Sequence, residues 1–135
     1  MICSLKHIQY LRRFAIENHF SLPDSFMQKP IRWVWRQYNG IGAEWLPMRV
    51  RKFLTRFLRH MEAASMVHDV EYLSENKSFW RFSVANMRLI WNGIKSRHPL
   101  SGFVFGTVCQ FFGWSAWIEG KETMAYHYYF SEGQR

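Results

Sequence analysis

Between residues 4 and 18 the apolar side chains Leu5, Ile8, Leu11 and Ala15 recur every three or four positions, while Lys6, Arg12 and Arg13 stand off that stripe. This spacing predicts a short amphipathic helix. The following stretches, "FSLPDSF" and "IRWVWRQY", are interrupted by Pro23 and Pro30. A residue before proline is pushed out of the α region, so they predict a short β element, a small hairpin, ahead of the glycine loop "YNGIGAEWLP" at residues 38–47. Pro47 suits a first helical turn, and Val50, Phe53, Leu54, Phe57, Leu58, Met61 and Ala64 then repeat at helical spacing. Arg49, Arg51, Lys52, Arg56, Arg59 and His60 mostly fall away from that stripe. One long amphipathic helix, from Pro47 to about Leu73, is expected.

The polar link "SENKS" offers Asn76 or Ser78 as the N-cap of a second helix, along which Phe79, Phe82, Asn86, Leu89, Ile90 and Ile94 share a face. Asn86 therefore falls in the middle of an apolar stripe. Two helices joined so closely should run antiparallel, bringing the middle of the second near the end of the first. "SRHP" ends that helix, the uncharged segment 99–118 predicts a third, and "MAYHYYF" near the C-terminus alternates weakly, as a terminal strand does. The expected fold is mainly α: two long antiparallel helices plus an aromatic-rich C-terminal helix, with a short β element before the glycine loop.

At 135 residues the chain fits one domain, residues 1–135, large enough to hold a core without disulfides. The formal charge of +8 is uneven: residues 1–60 carry eleven Lys or Arg against three acids, and the remainder balances. A basic N-terminal half suits an anionic partner, whether membrane phosphate, nucleic acid or an acidic protein, and also suits a face that is merely solvated. Cys3 and Cys109 form no disulfide framework, which points to a reducing compartment. The N-terminus has no apolar run followed by a cleavage site, so no signal peptide is expected. Segment 99–118 has the length of a membrane span, yet its three glycines, two serines, Thr107 and Gln110 weaken it. A peripheral rather than a spanning relation to membranes is expected.

Continued through "AASMVHDVEYL", the long helix carries His68 on its apolar face and Tyr72 one turn further on the same side. Asp69 is rotated about 100° away and can point to another element. A histidine so placed is either a satisfied core residue or a base facing the interhelix space. Upstream, Gly40 and Gly42 give a short loop the freedom to aim several carbonyls inward, as a hard cation such as calcium requires. The same pair also fits an Asn39-Gly40 turn. No C-x-x-C, H-E-x-x-H, G-x-S-x-G or phosphate-binding glycine loop is present, and the six histidines are scattered, which leaves zinc chemistry poorly supported.

"YNGIG" followed by "HDVEY" resembles the phospholipase A2-like superfamily, in its disulfide-poor form known from parvovirus capsid proteins and small phage or prophage proteins. The likeness covers residues 38–94. The C-terminal "VCQFFGWSAW" also resembles the tail of phage proteins that carry an H-D-x-x-Y helix. The resemblance implies that the carbonyls of Tyr38, Gly40 and Gly42, with the Asp69 carboxylate, hold calcium. It implies that His68 is the general base and that Tyr72 supports it by hydrogen bonding. Where the family carries an aspartate on the following helix, this chain has Asn86 in "SVANMRL". An amide can fix the tautomer of His68 but brings no charge to stabilise an imidazolium. The implied activity is calcium-dependent hydrolysis of phospholipid esters at anionic membranes, weakened by Asn86. Lys and Arg on the long helix, with Trp33, Trp35 and Trp45, are expected to meet the lipid surface. Two further readings stay open: a catalytically silent phage accessory protein that uses its basic half to bind a host protein or nucleic acid, and a virion or membrane-associated structural protein. The implied location is the host cytoplasm or the phage particle.

Overall fold

The computed structural model describes residues 4–38, 40–41, 47–73 and 77–119. It is mainly helical, with eight α-helices and no strand among the described residues. Helix α1 (Leu5–Glu17) follows the predicted stripe. Ser4 caps it by accepting from the His7 N–H, and Ile8, Leu11 and Ala15 are its buried positions.

The expected β hairpin is absent. In its place stand two short helices, α2 (Asp24–Gln28) and α3 (Ile31–Gln37), which begin directly after Pro23 and Pro30. Lys29, before Pro30, is extended, as its position demands. The prolines themselves, with φ of −69° and −58°, are already set for a helical start, and that preference won. Pro47 likewise precedes α4 (Met48–Phe57), and Pro99 opens α7 (Pro99–Phe112).

The single long helix is also corrected. It breaks at Leu58 into α4, a 3₁₀ turn (Arg59–Met61) and α5 (Glu62–Tyr72). The break turns the α4 stripe outward: Phe53 and Phe57 are 64% and 71% exposed, and Arg51 and Thr55 are buried instead. The Thr55 hydroxyl accepts the Ile41 N–H at 2.8 Å, which ties the polar side of α4 to the end of the glycine loop.

Helix α5 is the central element, buried on nearly every side and packed against α1, α2, α3 and α6. Its core includes Ile8, Phe26, Val34, Met61, Met66 and Val67. Helix α6 (Phe79–Lys95) is capped by Ser78 and lies antiparallel to α7. The antiparallel sense follows from the contacts of Asn86 with Gln110, Ile90 with Gly106, and Gly93 with Gly102. A Cβ on Gly102 would stand 2.8 Å from the Gly93 Cα, so the two backbones touch where only hydrogen fits. The third long helix ends at Gly113 and resumes as α8 (Trp114–Glu119). The expected terminal strand lies outside the described residues, as do Asn39, Gly42, Trp45 and Asn76. Among the described residues no helix is long and apolar enough to cross a membrane.

Candidate functional site

Helix α5 carries His68 and, one turn later, Tyr72, whose rings lie 4.2 Å apart. Antiparallel packing sets α7 beside α6, and α5 packs on α6, so the middle of α6 is enclosed on two sides. Asn86 sits there, 1% exposed, and His68 is 6% exposed. The Asn86 side-chain amide is the hub. Its Oδ1 accepts the Tyr72 hydroxyl at 2.8 Å and lies 2.9 Å from His68 Nε2. Its Nδ2 donates to Gln110 Oε1 at 2.8 Å, and Gln110 Nε2 donates to Ser83 Oγ at 3.0 Å. With Nδ2 committed to Gln110, the oxygen faces the ring, and Nε2 must carry the hydrogen it offers. His68 is thereby held as the tautomer whose Nδ1 keeps its lone pair.

Burial lowers the His68 pKa from 6.5 to about 4, and the hydrogen bond that His68 donates to Asn86 opposes that shift without cancelling it. The ring is a neutral, weak base. Burial also holds the Tyr72 phenol above its ordinary range, with Cys109 and Asp69 adding to the effect and the Asn86 bond opposing it. Tyr72 stays a donor. The Cys109 thiol is pushed up to about 12 by burial first and by Asp69 second, so it is not a ready thiolate nucleophile. Trp117 of α8 closes the far side, edge-on to Tyr72 at 5.1 Å. Lys77 donates to the Tyr72 carbonyl and lies 5.0 Å over the Trp117 ring.

The structure thus brings three of the singled-out residues, His68, Tyr72 and Asn86, into one hydrogen-bonded group. Sequence reasoning missed Gln110 and Ser83, which complete it. Gln110 left one trace, as the only side-chain amide in the uncharged segment 99–118. For the proposed metal donors, Tyr38 is buried and Gly40 has a φ of 86°, a left-handed conformation that glycine adopts freely. Asp69 is half-buried on α5. Gly42 lies outside the described residues. Carbonyls and a carboxylate are the hard oxygen donors that calcium takes. Among the described residues no three His, Cys, Asp or Glu side chains gather as a metal-ligating group.

The expected tryptophan contact with lipid does not fit at Trp33, which is buried beneath the Lys29 ammonium, 4.6 Å from its ring centre. A second polar cluster fastens the fold: Arg88 pairs with Glu71 and donates to Ser21 Oγ, while Asn92 exchanges two hydrogen bonds with the Ser21 backbone. Compared with protein-family models, curated proteins and solved structures, the chain matches none of them.

Proposed function

We propose that this chain is a phospholipase A2-like, calcium-dependent hydrolase of phospholipid esters at anionic membranes, slowed by the amide at position 86. The observation that carries the reading is the shared oxygen of Asn86, which receives both His68 Nε2–H and the Tyr72 hydroxyl and leaves His68 Nδ1 as the proton acceptor. In the reaction Nδ1 takes a proton from water, and the water oxygen bonds to the ester carbonyl carbon. As the tetrahedral adduct collapses, the carbon–oxygen bond to the lysolipid breaks, and the leaving alkoxide recovers the proton from His68. Calcium, held by the carbonyls of Tyr38, Gly40 and Gly42 and by Asp69, would polarise the ester carbonyl. Asn86 positions the ring but stabilises no imidazolium. In a better-studied triad the corresponding aspartate-to-asparagine change costs about four orders of magnitude in rate, there through a wrong tautomer. Here the Asn86 oxygen leaves His68 in the tautomer that the reaction requires, and what the amide lacks is the negative charge.

Fatty-acid release from vesicles of phosphatidylglycerol and phosphatidylcholine tests the reading. Release by the wild type should require calcium and stop with EDTA, and His68→Ala, checked for its helical circular dichroism, should fall to background. Equal release with EDTA, or from the His68 variant, would exclude it. A second reading draws on the low basicity of His68: a catalytically silent scaffold whose basic half binds a host protein or nucleic acid. Absence of release by wild type, with salt-sensitive nucleic-acid binding, would favour that one.

A further inference from the structure

Helices α6 and α7 spend two of their sides on packing. Toward the core, α6 turns Phe82, Ala85 and Leu89, and α7 turns Phe105 and Cys109. Toward each other they turn Gly93, Gly102 and Gly106. What remains on α6 is Trp80, Met87, Trp91 and Ile94, spaced as one helical stripe, with Trp80 77% exposed. On α7 it is Leu100, Val104, Val108 and Phe111, with Phe112 exposed at the end of the helix; the two phenylalanines are 75% and 80% exposed. On each helix the stripe is turned away from the flank that meets the core. The pair thus exposes apolar surface on both helices, of the kind that marks a contact with lipid or protein.

Charge decides between those occupants. From residue 77 to residue 118 there is no Asp or Glu, and the charged residues are Lys77, Arg81, Arg88, Lys95 and Arg97. Arg88 is engaged with Glu71. Lys77 is engaged with the Tyr72 carbonyl and the Trp117 ring. The other three stand at the two ends of the antiparallel pair, Arg81 at one and Lys95 and Arg97 at the other. The Lys95 ammonium lies 5.2 Å over the Trp91 ring, its stem along the apolar stripe and its charge at the edge. An apolar face rimmed by tryptophan and framed by cations suits the headgroup boundary of an anionic bilayer. A second copy would set the same bases against one another.

We infer that the outer face of the α6–α7 hairpin docks, flat, on an anionic phospholipid bilayer. The inference deepens the lipid-hydrolase reading and rests on it, but its test needs no turnover. Full-length protein in EDTA is mixed with vesicles of phosphatidylglycerol and phosphatidylcholine in a roughly 3:7 ratio, or with phosphatidylcholine alone, and binding is read by co-sedimentation and by the tryptophan emission. The expected result is binding to the anionic vesicles with a blue shift, reduced by salt. Phe111→Ser/Phe112→Ser should weaken it at least tenfold, and Lys95→Glu/Arg97→Glu should abolish the preference for phosphatidylglycerol. Phe53→Ser/Phe57→Ser, on the exposed stripe of α4, should bind as wild type does. Loss in that variant with retention in the hairpin variant would overturn the assignment. So would a dimer in sedimentation that Phe111→Ser/Phe112→Ser dissociates. A monomer that ignores both vesicles would assign the face to a protein partner or to the chain's own residues 120–135, and would also overturn it. Vesicle binding without fatty-acid release would leave the docking face intact and remove the hydrolase.

Discussion

At the scale of single residues, the group around Asn86 sets what His68 can do. The pKa of the ring is about 4 in the fold and 6.5 when exposed, so the unfolded chain binds the proton more readily. Its contribution is therefore complete above pH 6.5 and is lost as pH falls toward 4, by roughly 3 kcal/mol at full burial. Glu71 acts in the opposite sense, since burial lifts its carboxyl from 4.5 to about 7 against the pull of Arg88, and its effect opposes stability as pH rises through that range. A proton NMR titration of His68 should find a midpoint near 4. Asn86→Asp should move that midpoint upward by at least one pH unit. The aspartate can be accommodated, because Gln110 can turn its amide over, giving Nε2 to the new carboxylate and taking the Ser83 hydroxyl on Oε1. A midpoint near 6.5 in the wild type would show that the ring is not enclosed as described.

At the scale of elements, how much was legible depends on which force dominated. The α1 stripe read directly from spacing, as did Phe82, Asn86 and Leu89 on α6, because those side chains are buried, whereas Phe79 and Ile94, expected on the same α6 face, are exposed. The α4 stripe read equally well as a pattern but not as a location, since periodicity identifies an amphipathic helix without saying which face the fold buries. The break at Leu58 leaves no signal in the spacing, and neither does the Thr55 bond to Ile41 on the side of α4 that the fold buries. The helices after Pro23 and Pro30 were misread because proline constrains both its predecessor and its own φ, and only the first constraint was weighed. The glycines of α6 and α7 carry a sharp test. Helix propensity alone says that Gly102→Ala stabilises by about 1 kcal/mol. The added Cβ meets the Gly93 Cα and the Ile90 carbonyl at 2.8 and 2.9 Å, both backbone, so the substitution should instead destabilise by roughly 1–3 kcal/mol. Urea unfolding followed by circular dichroism decides the sign, and a stabilised variant would contradict the close packing of α6 on α7.

At the scale of the whole molecule, charge and apolar surface are distributed in two distinct ways. The basic excess of the N-terminal half was visible in the sequence, and the absence of acid from residue 77 to residue 118 could have been read there too. What the sequence did not display is which apolar side chains of α6 and α7 stay exposed, because that depends on which flanks the core and the glycine contact consume. The same assembly encloses His68 and Asn86 beneath α7, so the candidate lipid-facing helix and the candidate base are joined through Gln110. The reading proposed above makes this enclosed group a hydrolytic centre short of negative charge. Its most direct test is the rate of calcium-dependent fatty-acid release by Asn86→Asp beside wild type on the same anionic vesicles. Restoring the negative charge should raise the rate at least tenfold without altering the calcium requirement. A rate that is unchanged, lower, or indifferent to calcium in the aspartate variant would contradict it.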